Sequence, residues 1–235
     1  MNMAIASELN GKLRSRWMKV VVFLLCLAPL AYLAWRAWNQ NLTADPVAYI
    51  THFTGDWTIR LLAITLAVTP LRKQLALPDL IRFRRMLGLY TFFYGTLHFL
   101  TYLAVDQSFD LHAIAADVAK RRYITVGFAG YLLLLILAVT STTGWIRRLG
   151  GKRWQRLHRL VYLAIVAGVV HYYWLVKSDI RMPVFYGVLA ALLLGYRAMA
   201  WLEHGRSKPS VRAATRTVLR AQLLNRAEAT PHPRN

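Results

Sequence analysis

Three histidines stand in strongly apolar surroundings: His98 in Leu97-His98-Phe99-Leu100, His171 in Val169-Val170-His171-Tyr172-Tyr173, and His158 directly after Arg156-Leu157. An imidazole in hydrocarbon is costly unless it has a partner, so each marks a candidate site. A neutral imidazole nitrogen is a metal ligand. Two of them on opposite sides of a haem iron fill both axial positions, which suits electron transfer because no position is left open for oxygen. The plainer reading of each histidine is a hydrogen bond to a neighbouring helix. His52 and His112 fall in segments between apolar blocks, and His204 and His232 lie at or in a polar tail, so these four read as solvated. The single cysteine, Cys26, rules out a disulfide framework, a zinc cluster and a Cys-x-x-Cys-His attachment, and reads as a small apolar helix residue. No Ser/His/Asp triad, acid pair or phosphate loop is present.

These histidines need helices to hold them. The chain has 235 residues, 57% hydrophobic and 17% charged, which is more apolar and less charged than an ordinary soluble domain. The apolar residues come in blocks of about 18–22, the length that crosses a bilayer as a helix. The blocks predict helices over 17–38, 56–71, 86–105, 123–143, 157–176 and 183–202. The fold class is therefore all-α, a polytopic membrane bundle of six transmembrane helices over 17–202, with a short N-terminal segment over 1–16 and a basic tail over 203–235. The second span is the weakest, with Arg60 near its start and Pro70 near its end. The first follows Lys12, Arg14, Arg16 and Lys19, but its apolar run over 20–35 outlasts a signal-peptide core, so it reads as a retained anchor.

The net charge of +20 could suggest nucleic acid. The basic residues, however, sit at the ends of the apolar blocks, as in the cytoplasmic loops of membrane proteins. All of the 30 fall on one side except Arg36, Arg60, Lys120, Arg121, Arg122, Lys177 and Arg181. That bias predicts both termini in the cytoplasm. In the tail, Arg212, Arg216 and Arg220 share one helix face, which fits either a helix on an anionic membrane surface or a disordered segment.

Depth relates the histidines to one another. His98 lies 13 residues beyond Arg85 and His171 lies 15 beyond Arg156, about 20 Å and about 22 Å up their helices. Both helices enter from the same side, so the two rings are predicted at similar height, nearer the outer face. Gly95 and Gly168 each precede a histidine by three and share its face; they either make room for a macrocycle or allow close helix packing. His158 is lower, near the cytoplasmic face. It would serve a second haem or hydrogen-bond to a cofactor, but Arg84 and Arg85 occupy the matching depth on the other helix. On a continuous helix His158 is turned about 220° from His171. Arg60 has two readings, a haem propionate or Asp56 four residues earlier. Trp145, Trp154, Trp174, Trp201 and Tyr172 read as an interfacial belt. Arg147-Arg148-Leu149-Gly150-Gly151-Lys152-Arg153 reads as a topology signal, with an anionic cofactor or a cytoplasmic donor as the other use.

Three stretches resemble a known family. They are Thr54-Gly55-Asp56-Trp57 with Arg60 and Thr69-Pro70-Leu71; Arg84-Arg85-Met86-Leu87-Gly88-Leu89 through His98 and Tyr102; and Thr140-Ser141-Thr142 through Arg147-Arg148-Leu149-Gly150 and Trp154-Gln155-Arg156-Leu157-His158-Arg159-Leu160 to His171-Tyr172-Tyr173-Trp174. Over about residues 10–205 the chain is similar to the MsrQ (YedZ) family, the haem-binding membrane subunits of a bacterial methionine sulfoxide reductase system within the ferric-reductase-like transmembrane group. The resemblance implies haem b on His98, His158 and His171, and a flavin mononucleotide (FMN) for which the chain shows no signature. It implies electrons from the quinone pool or a cytoplasmic flavin reductase, delivered to a periplasmic molybdopterin subunit, MsrP, that repairs oxidised methionines. It also implies a multi-pass location in the bacterial inner membrane. The sulfoxide chemistry would lie on the partner. Two other classes are a stand-alone ferric-reductase-like electron carrier and a transporter or assembly factor whose histidines only pack. The last predicts a colourless protein.

Overall fold

The computed structural model describes residues 3–228 and is helical throughout, with no strand among the described residues. Long helices stand where the six apolar blocks are: α2 (Arg16–Trp38), α3 (Pro46–Gln74), α4 (Arg84–Thr101), α6 (Arg122–Val139), α9 (Val161–Leu175) and α10 (Arg181–Glu228). Short ones lie between and before them: α1 (Met3–Arg14), α5 (Leu111–Lys120), α7 (Thr143–Leu149) and α8 (Gly151–Leu157). By length and composition alone, Arg16–Trp38, Arg122–Val139 and Arg181–Glu203 are long and apolar enough to cross a membrane. Their outward faces carry exposed Leu24, Leu25, Ile136, Val139, Phe185 and Leu192, which is unfavourable against water and natural against lipid tails. The described residues divide into two compact units, one ending at Leu193 and the other beginning at Leu194. The second consists of the rest of α10, whose helix continues through the basic tail to Glu228; His232 lies outside the described residues.

Local chemistry sets the helix starts. Ser15 caps α2 by accepting from the Trp17 amide. Asp45 caps α3 by accepting from the Ala48 amide, with Pro46 in the first helical position, where a missing N–H costs nothing. α3 therefore begins ten residues before the expected 56. The polar residues Thr54–Asp56 are carried inside the helix, where Thr54 and Thr58 donate their hydroxyls to the carbonyls of Ile50 and Thr54. Gly150, at φ +72°, separates α7 from α8 in a conformation that favours glycine. Asp179 caps α10 through the Arg181 amide, and hydrogen bonds from the Arg181 guanidinium hold its carboxyl down at about 2.

The site is framed by α3 packed on α4 and α6 packed on α9, with α4 meeting α6 and α3 meeting α9 to close a four-helix ring. α2 is tied to this ring by Tyr94, which is fully buried. Its hydroxyl accepts from the Leu30 amide and donates to the Cys26 carbonyl. It thus sits in the i to i−4 bond of α2, next to Pro29, which has no amide hydrogen to donate. Cys26 is 4% exposed and packs in a core with Leu61, Val68, Phe83, Leu87 and Tyr94.

Candidate functional site

His98 on α4 and His171 on α9 come together across the ring. Their ring centres are 6.1 Å apart and their planes cross at 80°. His98 Nδ1 lies 2.9 Å from the Thr51 carbonyl oxygen on α3, and His171 Nδ1 lies 2.7 Å from the Tyr123 carbonyl oxygen on α6. A carbonyl only accepts, so each Nδ1 carries the proton and each Nε2 keeps its lone pair. A hydrogen bond of this kind fixes the tautomer and orientation of a ligating histidine and makes it a stronger donor. The two rings expected at similar height thus lie beside one another.

The two rings face a cavity of about 770 Å³ between α3, α4, α6 and α9, a size typical of cofactor sites. Its walls include Phe99 and Tyr131, whose rings stack at 4.5 Å. His52 on α3 and Tyr123 on α6 also line it, with Gln107 and Arg121 from the connection between α4 and α6. Arg121 is the one Lys or Arg among these lining residues. It pairs with Asp117 at 3.3 Å and donates to the Tyr123 hydroxyl at 3.4 Å. Among the described residues no group of three or more His, Cys, Asp or Glu could hold a bare metal ion. Two opposed imidazoles therefore suit a metal that brings its remaining ligands with it.

Arg60 does not line the cavity. It hydrogen-bonds Asp56 at 3.4 Å and the Tyr186 hydroxyl at 3.2 Å, and lies 5.2 Å from the centre of the Trp57 ring. Of its two readings, Asp56 is the partner present. His158 stands apart from the cavity, in a 3-10 turn (His158–Leu160) between α8 and α9. Its Nδ1 faces the Trp154 carbonyl at 3.1 Å, its Nε2 faces the Ser141 hydroxyl at 3.3 Å, and its ring stacks on Trp154 at 3.9 Å. Trp154 also donates its indole N–H to the Thr140 carbonyl, so it has a specific role beyond an interfacial belt. Gly168 lines the cavity with nothing near its missing Cβ. Gly95 also lines it, but a Cβ there would meet Leu134 and Thr58 at 3.5 Å, so it serves both space and packing.

Two glycines escaped the sequence reading. A Cβ at Gly55 would lie 3.1 Å from His98 Nδ1, and one at Gly127 would lie 2.6 Å from His171 Nδ1. Gly55 sits inside a quoted motif and Gly127 in an unremarkable apolar run. Each stands four residues after the residue whose carbonyl accepts from the histidine, Thr51 or Tyr123, a relation that only the structure reveals.

Residues 54–169 match the family described as ferric reductase like transmembrane component. Among curated relatives, the protein-methionine-sulfoxide reductase heme-binding subunit MsrQ of Herminiimonas arsenicoxydans is 47% identical over 199 residues, covering 84% of this chain and 91% of the relative. The protein of the same name from Xanthomonas oryzae pv. oryzae (strain MAFF 311018) is 50% identical over 196 residues, covering 81% and 89%. That from Caulobacter vibrioides is 46% identical over 187 residues, covering 80% and 89%.

Proposed function

The chain belongs to the family of MsrQ heme-binding subunits, and from that membership we propose that it carries electrons through the membrane on haem b held between His98 and His171. The observation that carries this reading is the pair of facing imidazoles, 6.1 Å between centres, each with Nδ1 on a backbone carbonyl. Two neutral imidazoles at this separation would hold a haem iron from both sides. The donor set fits as well, being neutral nitrogens without thiolate or carboxylate, and the cavity is large enough for a macrocycle.

A haem supplies a reversible one-electron carrier with no open coordination position. The chain's own residues do the rest. His98 and His171 would hold the iron, the walls at Phe99 and Tyr131 would exclude water, and Arg121, rather than Arg60, would offer a guanidinium to the macrocycle's carboxylates. His158 is proposed as a third haem-associated histidine at a separate inner site. Its Nδ1, like the others, faces a carbonyl, so Nε2 beside Ser141 is the nitrogen a cofactor would reach. The FMN implied by family resemblance is assigned no residues.

At the level of the system, the chain takes electrons from the quinone pool or a cytoplasmic flavin reductase. It passes them to a periplasmic molybdopterin subunit, MsrP, where oxidised methionines are repaired. α2, α3, α4, α6, α9 and α10 are its six spans in the bacterial inner membrane, with both termini cytoplasmic. The basic residues gathered on one side support that orientation.

The test is haem stoichiometry and the dithionite-reduced spectrum of the wild type and of His98→Ala, His171→Ala and His158→Ala. His98→Ala and His171→Ala are expected to remove the same spectral component, and His158→Ala to leave it. Separate losses from the first two would end the pairing. Co-purification with a molybdoprotein distinguishes a subunit from a stand-alone ferric-reductase-like carrier.

A further inference from the structure

The two histidines are held in the same way on opposite sides of the ring. His98 on α4 reaches the Thr51 carbonyl on α3, and Gly55 stands four residues on. His171 on α9 reaches the Tyr123 carbonyl on α6, and Gly127 stands four residues on. In an α-helix the carbonyl of residue i points toward the amide of residue i+4. A donor from a neighbouring helix must therefore come in over residue i+4. A Cβ there would meet the ring. At Gly127 it would lie 2.6 Å from Nδ1, 2.8 Å from Cε1 and 3.2 Å from Cγ. At Gly55 it would lie 3.1 Å from Nδ1 and 3.2 Å from Cε1. Glycine inside a helix is unfavourable relative to alanine, yet each notch falls on the residue the histidine must pass.

Resting on the haem reading above, we infer that Gly55 and Gly127 are positioning residues for the two iron ligands: each opens a notch that lets an imidazole share a helix carbonyl, and together they fix the rings' tautomer and their 80° crossing. The Nδ1–H bond strengthens the imidazole as a donor and so favours the oxidised iron. Near-perpendicular imidazole planes leave two iron orbitals almost equal in energy, which gives a strongly anisotropic low-spin signal. The notches thus set both the potential and the electronic signature of the site. Glycines whose missing Cβ faces ordinary contacts would set neither. Gly88, with Thr65 at 3.8 Å, is one of those.

The experiment uses the full chain purified with its haem. It measures haem content, midpoint potential and the electron paramagnetic resonance of the oxidised form for Gly55→Ala, Gly127→Ala and Gly88→Ala beside the wild type. Gly55→Ala, where the ring need move only a few tenths of an ångström, is expected to keep haem, raise the midpoint potential and lessen the g anisotropy. Gly127→Ala is expected to shift both further or to lose the haem. Gly88→Ala is expected to match the wild type in both. Unchanged potential and signal in Gly55→Ala would overturn the inference, as would equal shifts in Gly88→Ala. His98→Ala and His171→Ala run alongside separate the two claims. If they keep the wild-type component, the haem reading fails; if they lose it while Gly55→Ala stays at wild-type values, only the role of the glycines fails.

Discussion

At the scale of single residues, the histidines were legible because a polar ring in an apolar run has few uses, and counting along two helices was enough to match their depth. What holds the rings was not legible. The partners are backbone carbonyls, which leave no mark in a sequence, and the notches are glycines with no periodic signature. Arg60 shows a different limit. An arginine in a span needs a counter-charge, and the sequence offered two. Asp56 stands one helical turn away and needs no bound group, so it holds the guanidinium together with Tyr186. The cation lining the cavity is Arg121, which the sequence presented only as one of three basic residues in an outer loop. The two arginines are expected to separate experimentally. Arg121→Gln should lower haem occupancy and speed haem loss to an acceptor protein, whereas Arg60→Gln should leave haem retention near wild type. The reverse order would return the propionate role to Arg60.

At the scale of elements, each apolar block produced a helix, but ends and breaks followed chemistry that hydropathy does not carry. α3 gained ten residues because Asp45 and Pro46 make a stronger start than the threonine-rich segment, whose hydroxyls bond back into the helix. The fifth block is not one helix. His158 lies in a 3-10 turn before α9, so the 220° offset expected between His158 and His171 on a continuous helix does not apply. α5 was not foreseen, although Asp110 caps it and Ile114 and Val118 line the cavity from it. The tie between α2 and α4 gives a direct test at this scale. Tyr94→Phe keeps the ring but leaves the Leu30 amide and the Cys26 carbonyl without their partner. An unpaired buried polar group costs about 1–3 kcal/mol. The variant is expected to denature at lower temperature in detergent while its haem spectrum stays that of the wild type. Unchanged thermal stability would show that the Leu30 amide can donate to the Cys26 carbonyl directly.

At the scale of the whole molecule, exposed apolar side chains on the long helices accompany a ring of four helices that brings two imidazoles into one cavity. The charge asymmetry along the chain and the depth of the histidines argue for a haem toward the outer face, on the side opposite most of the basic residues. On the proposed reading the molecule is an electron carrier and the sulfoxide chemistry belongs to a partner. The most direct test of that account is the oxidised electron paramagnetic resonance spectrum of the full-length haem-loaded protein, taken with its haem-to-protein ratio. A six-coordinate low-spin signal of large anisotropy, lost together in His98→Ala and His171→Ala, is the expected result. A high-spin signal with an open axial position, or a protein that folds and stays colourless when porphyrin is plentiful, would contradict it.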